Sequence, residues 1–315
     1  MKSQYEHSKI VTFFLASRPK FLTASIAPVL VGSALAYAFS HLFSLPLFIL
    51  ALLAIMFLHA GANITNDYFD HTTKNDWLNK NPTPFSGGSR FIQNSLLTPK
   101  QTLAAGLAAL AIGSALGLVI IALTKSIFIL LLGLAGLLGG YFYTAAPLRL
   151  GYRCVGEFII AVLFGLLPVY GSYYLQSQTV DAAPLLPACI VSILIFLVIL
   201  INEFPDVAAD AAVDKKTLVV RFGIPAAARI YKITLAAGYI IAAAMIFAGQ
   251  LMFFAGLFYL FTLPIAIIAI KAANKKDLAI PGQYRANQVT VLLHALGSLS
   301  LAAGFIITAL HSKTI

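Results

Sequence analysis

Long apolar runs separated by short polar segments set the pattern of this chain. Runs of roughly 17 to 25 apolar residues predict membrane-spanning α-helices, because about 20 residues are needed to cross the hydrocarbon core of a bilayer. The runs predict nine spans, at about 21–39, 44–64, 102–122, 127–146, 156–175, 184–203, 230–248, 251–270 and 288–310. The expected fold class is an all-α, polytopic membrane protein, a bundle of about nine transmembrane helices.

The composition supports a membrane protein and excludes a soluble domain. Of the 315 residues, 60% are hydrophobic and 10% are charged, whereas about 25% of a soluble domain is charged. The net charge of +10 would suggest nucleic-acid binding in a soluble chain, but here nucleic acid is not an expected partner, because basic residues gather in the loops. No linker divides the chain. We expect an interfacial amphipathic segment at 1–20 and one membrane domain at 21–315.

The basic residues also predict the orientation of the bundle. With a cytoplasmic N-terminus, the inward-facing segments are 1–20, 65–101, 147–155, 204–229 and 271–287. These segments hold 18 of the 21 Lys and Arg residues. Because short cytoplasmic loops are enriched in basic residues, this asymmetry predicts the N-terminus inside and the C-terminus outside. Nearly all titratable groups then lie at the cytoplasmic face, where we expect the functional site.

The acidic residues concentrate in two distant places, each at the polar end of an apolar run. The chain has 11 Asp and Glu residues. Seven of them lie in these two places: Asp67, Asp70, Asp76, Glu203, Asp206, Asp210 and Asp214. Acidic groups at the ends of membrane helices are costly unless they are paired or bind cations. Four predicted spans separate the two places, so both are expected on the same side of the membrane.

Each cluster forms a stripe of oxygen ligands along one helix face. Asn63, Asp67 and Asp70 are spaced i, i+4 and i+7. The second stripe has a similar helical spacing, i, i+4 and i+8, with Asn202, Asp206 and Asp210. Hard oxygen ligands of this kind suit Mg²⁺, which takes one or two carboxylates together with phosphate oxygens. The predicted metal ligands are Asn66, Asp67, Asp70, Asp206 and Asp210, and the four aspartates are also the predicted catalytic residues.

Basic residues follow both stripes, and carboxylates with a metal ringed by Lys and Arg are what a diphosphate needs. Arg90 is favoured because it ends a segment with the pair Gly87-Gly88, which lets backbone N–H groups approach an anion. The full set of expected substrate-binding residues is Asn63, Asn66, Lys74, Arg90, Tyr143, Arg153, Asn202 and Lys216.

A third polar island lies between Tyr143 and Glu157. Glu157 begins an apolar run, so we expect it to have an arginine partner. A nearby apolar span carries a glycine stripe that predicts close helix packing rather than a phosphate loop. Its members are Gly133, Gly136, Gly139 and Gly140.

These motifs resemble the UbiA superfamily of intramembrane prenyltransferases over most of the chain. The resemblance rests on Asn63-x-x-Asn66-Asp67-Tyr68-Phe69-Asp70 and on Asp206-x-x-x-Asp210 followed by Lys215-Lys216-Thr217-Leu218. With the Tyr152–Glu157 segment, these residues are most similar to the 1,4-dihydroxy-2-naphthoate polyprenyltransferase branch of menaquinone biosynthesis.

The resemblance implies a Mg²⁺-dependent transferase that moves a polyprenyl group from polyprenyl diphosphate to an aromatic acceptor. It implies an integral protein of the bacterial inner membrane, with its site on the cytoplasmic side. The two acidic stripes would hold Mg²⁺ and the diphosphate, and loss of carbon dioxide and a proton would complete the reaction of dihydroxynaphthoate.

Two other functions remain open from the sequence. One is a prenyltransferase of the same fold that uses another acceptor: 4-hydroxybenzoate, a tetrapyrrole or an ether-lipid precursor. A secondary transporter that couples ions through its aspartates is the alternative from a different class. Transporters place such groups near the bilayer midplane, whereas these acids lie at helix ends on one side. This position favours chemistry on a membrane-borne diphosphate.

Overall fold

The computed structural model describes residues 9–274, 278, 280 and 282–312, which are almost entirely α-helical. The helices are α1 Lys9–Ala16, α2 Thr23–Ser40, α3 Leu45–Thr72, α4 Asn75–Leu78, α5 Pro99–Thr124, α6 Ile127–Tyr141, α7 Gly156–Ala161, α8 Leu167–Ser177, α9 Leu185–Glu203, α10 Val207–Ala212, α11 Leu218–Phe222, α12 Ile224–Phe247, α13 Gln250–Leu260, α14 Leu263–Ala272 and α15 Arg285–Ser312. A 3₁₀ turn at Pro19–Phe21 leads into α2, and another lies at Leu150–Tyr152.

The structure confirms the all-α membrane bundle and gives seven to eight candidate spans, where the sequence predicted about nine. Within the described ranges, seven helices are long and apolar enough to cross a membrane, and α13 with α14 makes an eighth if this pair, bent by 45°, is one span. Helix α6 has 15 residues and is therefore about 22 Å long. The hydrocarbon core is about 30 Å thick. Helix α6, the fourth of the predicted spans, is therefore shorter than the seven helices counted as spans.

The structure describes only part of the N-terminal segment, 1–20, that was predicted to be amphipathic. Helix α1 lies within the segment expected to be amphipathic, while residues 1–8 lie outside the described residues. The interfacial position of this segment, the domain division and the orientation of the bundle stay predictions.

Helix α9 forms the centre of the bundle. Leu194, Leu197 and Leu200 are fully buried on it, and a helix that is apolar all round is typical of a buried span. It packs against α12 and α15, while α2 packs against α8 and α15. Because α9 ends in the interior at Glu203, the second acidic stripe continues from the centre of the bundle.

Helix α3 carries the first acidic stripe and is held closely against α5. A Cβ atom on Gly61 would lie 2.7 Å from Leu110 Cγ, and one on Gly106 would lie 2.6 Å from Thr65 Cγ2. Only glycine permits these approaches, because both distances are far below van der Waals contact. Small residues commonly allow membrane helices to approach in this way, and here they fix the position of α3.

A π-helical turn at Val162–Leu166 joins α7 to α8. Pro168 lacks a backbone N–H, so the carbonyl of Phe164 loses its usual i+4 partner. Such local disruptions favour a wider turn, which often occurs at functional sites. Here the turn places Phe164 in the walls of two neighbouring cavities.

The predicted orientation can be tested with two exposed positions at opposite ends of the bundle. Lys80 follows α4 and is exposed, and Val180 follows α8 and is 62% exposed. In a background with Cys154 and Cys189 replaced by alanine, we expect an impermeant maleimide to label Lys80→Cys only in inverted vesicles. Val180→Cys should react in intact cells. The reverse pattern would invert the orientation, and labelling of both from one side would contradict the transmembrane arrangement.

Candidate active site

The two acidic stripes meet at one end of the bundle, and two asparagines join them. Asn75 donates a hydrogen bond to Asp210 Oδ1 at 2.9 Å, and Asn79 donates one to Asp206 Oδ1 at 2.7 Å. Both asparagines lie in or just after the short helix α4, which packs against α10. Sequence reasoning missed them, although their position beside Asp76 was a signal. They fix the first acidic segment to the second across about 130 residues of chain.

The loop at 83–90, which contains Gly87 and Gly88, covers the acidic site. Its backbone N–H groups donate hydrogen bonds to the carboxylates. Gly87 N–H bonds to Asp206 Oδ2 at 3.0 Å, and Ser89 N–H bonds to Asp67 Oδ1 at 3.3 Å. Gly88 has a φ of 75°, and a Cβ atom there would lie 2.6 Å from an Asp76 oxygen. The loop therefore needs glycine, as expected, but the anions that it approaches here are the protein's own carboxylates.

Lys215 is the buried cation of the second stripe. Its ammonium lies 3.3 Å from Asp210 Oδ1, and its side chain is 13% exposed. Lys216 points outward, is 56% exposed and pairs with the exposed Asp214 at 3.4 Å. Although burial would lower the pKa of Lys215, the carboxylates of Asp210 and Asp70 raise it well above its usual value. Lys215 therefore keeps its positive charge more readily than a free lysine, and it lies in the site although the sequence analysis named only its neighbour Lys216.

The third polar island holds Lys215 in place. Lys216 N–H donates to Tyr152 O at 3.3 Å, and Leu218 N–H donates to Glu157 Oε1 at 2.5 Å. The expectation of an arginine partner for Glu157 is wrong: its carboxylate accepts from the first turn of α11, where a negative charge is favoured. The Tyr152 hydroxyl also donates to Asp70 Oδ1 at 3.2 Å.

Arg18 is a second cation that sequence reasoning missed. Its guanidinium forms an ion pair with Asp67. The residue has a left-handed φ of 56° immediately before Pro19, which turns its side chain towards α3. Its position just before the first span made it look like a charge that only sets topology. Two partly buried cations therefore lie in the acidic site, Arg18 against the first stripe and Lys215 against the second.

The carboxylates are crowded enough to resist ionisation. Burial raises the pKa of Asp76 to about 8, and the neighbouring carboxylates of Asp70 and Asp67 contribute to this rise. Burial raises the pKa of Asp206 to about 6, with Asp210 as the next cause. Both effects destabilise the charged carboxylate. A site with several crowded carboxylates therefore favours binding of a cation.

The donor set fits Mg²⁺ that is shared with a phosphate, but not a closed protein cage. Within residues 9–274, 278, 280 and 282–312, no group of three His, Cys, Asp or Glu side chains lies close enough to hold a metal ion. Asp67 Oδ2 and Asp210 Oδ2 are nevertheless buried without a hydrogen-bond partner in this part of the chain. Mg²⁺ takes only one or two carboxylates and completes its shell with water and phosphate oxygens, which matches such free oxygens.

These groups surround a polar cavity of about 180 Å³. The expected site residues that line it are Asn63, Asn66, Asp70, Tyr143, Asn202, Asp206 and Asp210. Arg18, Lys215 and Glu203 line it as well. Asp67 does not line the cavity, but it forms an ion pair with Arg18, which does.

Four expected substrate-binding residues do not line this cavity: Lys74, Arg90, Arg153 and Lys216. Arg153 donates to the carbonyls of Pro147, at 3.2 Å, and Leu148. Arg90 donates to the carbonyl of Asp76. Contact of these four residues with substrate stays a prediction. The hydrogen bonds of Arg90 and Arg153 stabilise the backbone of neighbouring segments.

An apolar cavity of about 350 Å³ adjoins the polar one, and His59, Ala62, Gly140 and Phe164 line both. Gly133 and Gly136 lie in its wall, and a Cβ atom on either would meet nothing within 4 Å. The expectation that these two glycines serve close helix packing is therefore wrong, and they widen a cavity instead. Gly139 does pack, since its Cβ would lie 2.8 Å from Leu163.

Comparisons with known proteins give a consistent family. A protein-family model described as the UbiA prenyltransferase family matches residues 25–281. The 1,4-dihydroxy-2-naphthoate octaprenyltransferase of Mycobacterium tuberculosis is 33% identical over 207 residues, covering 66% of this chain and 68% of that protein. The Escherichia coli protein of the same name is 30% identical and covers 70% and 71%. The 2-carboxy-1,4-naphthoquinone phytyltransferase of Synechocystis is 28% identical and covers 92% and 91%.

A solved structure supports the same fold. The structure of a UbiA homologue from Archaeoglobus fulgidus bound to GPP and Mg²⁺ has a TM-score of 0.67 to this chain at 17% identity. The match covers 96% of this chain and 99% of the other. At this identity the likeness concerns the arrangement of helices alone.

The two adjacent lysines make a matched test of the cation in the cavity. We expect Lys215→Met to weaken diphosphate binding at least tenfold, because a hydrogen bond to a charged group contributes about 1.5–3 kcal/mol. Lys216→Met should change it less than twofold. Calorimetric titration of the detergent-purified variants with inorganic diphosphate and Mg²⁺ measures both, with unchanged melting temperatures as the folding control. Equal losses in both variants would remove Lys215 from the diphosphate site.

Proposed function

The chain belongs to the UbiA prenyltransferase family, and from this premise we propose that it transfers a polyprenyl group from polyprenyl diphosphate to 1,4-dihydroxy-2-naphthoate with Mg²⁺ as cofactor. One observation carries the proposal. A polar cavity edged by two acidic stripes adjoins an apolar cavity within the bundle. The pair matches the two halves of a prenyl diphosphate, a charged head and an apolar tail. A solved homologue from the same family is described as bound to GPP and Mg²⁺.

The polar cavity binds the diphosphate head by charge. Mg²⁺, when bound by Asn66 and the aspartates of the two stripes, supplies positive charge to the phosphate oxygens. Lys215 and Arg18 add positive charge, one against each stripe. Such preorganised charge stabilises the diphosphate as it leaves, and it acts strongly because the site is buried.

The reaction that follows is an electrophilic substitution. The C–O bond between the prenyl group and the diphosphate breaks, and its electron pair leaves with the diphosphate. A ring carbon of the acceptor donates π electrons to the allylic C1 and forms the new C–C bond. With an ionised hydroxynaphthoic acid, the carboxylate leaves as carbon dioxide and its bonding electrons restore the aromatic ring; with an acceptor that has hydrogen at the attacked carbon, a proton is lost instead. The apolar walls contributed by Phe164 and Ala62 keep water from the allylic cation.

The apolar cavity holds the prenyl tail. Its wall is formed mainly by α3, α5, α6 and the α7–α8 segment, and it includes Gly117, Gly133 and Gly136. The missing side chains leave a broad channel, as a long chain of methyl-branched isoprene units requires.

The relatives support the proposed acceptor and its metabolic role. The dihydroxynaphthoate enzymes of Mycobacterium tuberculosis and Escherichia coli support the naphthoate acceptor and a role in menaquinone biosynthesis. The distribution of basic residues supports a site on the cytoplasmic side of a bacterial inner membrane. A transporter is disfavoured because the acids lie at helix ends, held by amide and backbone donors.

Product masses from an acceptor panel test the proposed function. We expect purified protein with Mg²⁺ and octaprenyl diphosphate to prenylate 1,4-dihydroxy-2-naphthoate, with release of carbon dioxide. Asp206→Asn should lower turnover at least 100-fold, because each metal ligand contributes several kcal/mol to the transition state. Asp214→Asn is the matched control, since Asp214 is 83% exposed and pairs only with Lys216 among the described residues. Transfer to 4-hydroxybenzoate or an ether-lipid precursor instead would replace the acceptor, and absence of transfer to any of them would refute the proposal.

The tail cavity makes a separate prediction about chain length. Gly136→Phe places a ring where a Cβ atom meets nothing within 4 Å, so we expect the protein to fold normally. We expect kcat/KM to fall at least tenfold for octaprenyl diphosphate and less than threefold for geranyl diphosphate, because only the longer tail reaches the new ring. Kinetics with the two donors at saturating acceptor measure the difference. Equal losses for both donors would place the tail elsewhere.

A further inference from the structure

His59 lies at the boundary between the polar and the apolar cavity. The residues that line both cavities are His59, Ala62, Gly140 and Phe164. Of these four, only His59 has a side chain that can donate or accept a hydrogen bond. It is 6% exposed and lies on α3, one turn before Asn63. The proposed prenyl transfer, as described above, gives this histidine no role.

Two neighbours hold the imidazole ring in place. Ser25 Oγ lies 2.7 Å from His59 Nδ1. The ring of Phe164 meets the imidazole edge to face, with 4.6 Å between the ring centres. Ser25 is fully buried on α2, and Phe164 belongs to the π-helical turn at Val162–Leu166. Elements on two sides of α3 therefore fix the ring, as is required of a preorganised catalytic group.

The hydrogen bond to Ser25 determines which imidazole nitrogen carries a proton. Within the described part of the chain, Ser25 Oγ has no other hydrogen-bond partner. If the hydroxyl donates to Nδ1, both groups are satisfied. If Nδ1 donated instead, in a neutral or a charged imidazole, the hydroxyl proton would be buried without an acceptor, which is costly. The pair therefore favours the neutral tautomer, in which Nε2 carries the proton.

The Nε2–H group is available to a ligand. Among the described residues it has no hydrogen-bond partner, yet it is not one of the fully buried polar atoms that lack a partner. Because His59 lines both cavities, we take this donor to open on them. A donor that opens on a largely apolar boundary favours an oxygen acceptor on the ligand.

A prenyl diphosphate has one such oxygen at this place. Its diphosphate head matches the polar cavity and its tail matches the apolar cavity, so the C–O–P link between them crosses the boundary that His59 lines. The bridging oxygen of this link receives the electron pair when the prenyl group leaves. The aspartates, Arg18 and Lys215 lie further into the polar cavity and act on the phosphate end.

We propose that His59 is a catalytic residue that donates a hydrogen bond from Nε2 to the bridging oxygen of the prenyl diphosphate. The inference rests on the proposed prenyl transfer and adds a group that acts on the bond that breaks. The C–O bond breaks, its electron pair stays on the bridging oxygen, and the proton stays on Nε2. The hydrogen bond strengthens as negative charge develops on that oxygen, which lowers the barrier. Ser25 is a positioning residue that acts through His59.

Kinetics of three His59 and Ser25 variants test the donor. We expect His59→Phe, which keeps a ring, to lower kcat about tenfold or more, with KM for prenyl diphosphate changed less than about threefold. His59→Gln should stay within about threefold of wild type, because its amide nitrogen can replace Nε2. Ser25→Ala should lower kcat about threefold alone and not at all in the His59→Phe background. Melting temperatures check folding.

The matched control is the same exchange at another buried histidine. His294 is 1% exposed on α15 and lines neither cavity. We expect His294→Phe to leave kcat and KM unchanged, because its ring has no contact with the proposed substrate space. A fall in kcat that matches that of His59→Phe would show that loss of any buried imidazole disturbs the bundle.

A binding comparison tests the same contact without acceptor or turnover. The probes are geranyl diphosphate and geranyl S-thiolodiphosphate, in which sulfur, a weaker acceptor, replaces the bridging oxygen. They are titrated calorimetrically into the full chain with Mg²⁺. We expect His59→Phe to weaken binding of the oxygen compound about threefold and to leave binding of the sulfur compound unchanged.

Four results would overturn the inference. Equal losses for the oxygen and the sulfur compound would make His59 a packing residue. An unchanged kcat in His59→Phe, or a rise in KM alone, would exclude a role in bond cleavage. Activity of His59→Gln as low as that of His59→Phe would exclude the donor. Failure of transfer to every acceptor would refute the proposed function, while the binding comparison would still decide the contact of His59.

Discussion

Burial of several carboxylates at one end of a membrane bundle is the constraint on which the rest of this structure depends. Asp67, Asp70, Asp206 and Asp210 come together where water is scarce, and each charge is costly there unless it is compensated. Much of the surrounding structure supplies compensation: the amides of Asn75 and Asn79, the backbone N–H groups of the glycine loop and two partly buried cations. The compensation is incomplete, since two carboxylate oxygens keep no partner among the described residues. That remaining negative charge favours a bound cation, as the proposed use of Mg²⁺ requires.

The fold places further cavities on either side of this acidic site. The close contact of α3 with α5 and the central position of α9 bring the two stripes to one polar cavity. The π-turn before Pro168 lets Phe164 form a wall between that cavity and the apolar one. The 83–90 loop closes the polar cavity on the other side and borders a third space lined by Lys20 and aromatic rings. The head and tail of the proposed prenyl diphosphate thus each face a surface of matching chemistry.

The sequence predicted those features that depend on spacing along one helix. The i, i+4, i+7 stripe of Asn63, Asp67 and Asp70 follows from the helical repeat alone, and the apolar runs located all of the long helices. It failed where a neighbour from a distant element decides. Lys215 and Lys216 are adjacent, and which of them turns inward depends on the bonds of their segment to Tyr152 and Glu157. Arg18 was overlooked because its partner, Asp67, lies 49 residues away.

By itself, the sequence determined the membrane class, the helical architecture and the two acidic stripes, because hydrophobicity and helical periodicity are local properties of the chain. Only the tertiary structure decided which cations enter the site, that Asn75 and Asn79 join the stripes, and that Gly133 and Gly136 open a cavity rather than pack a helix. The physical reason is that burial, charge pairing and free volume depend on what the rest of the fold places opposite a residue. A residue's own position in the sequence does not specify that neighbour.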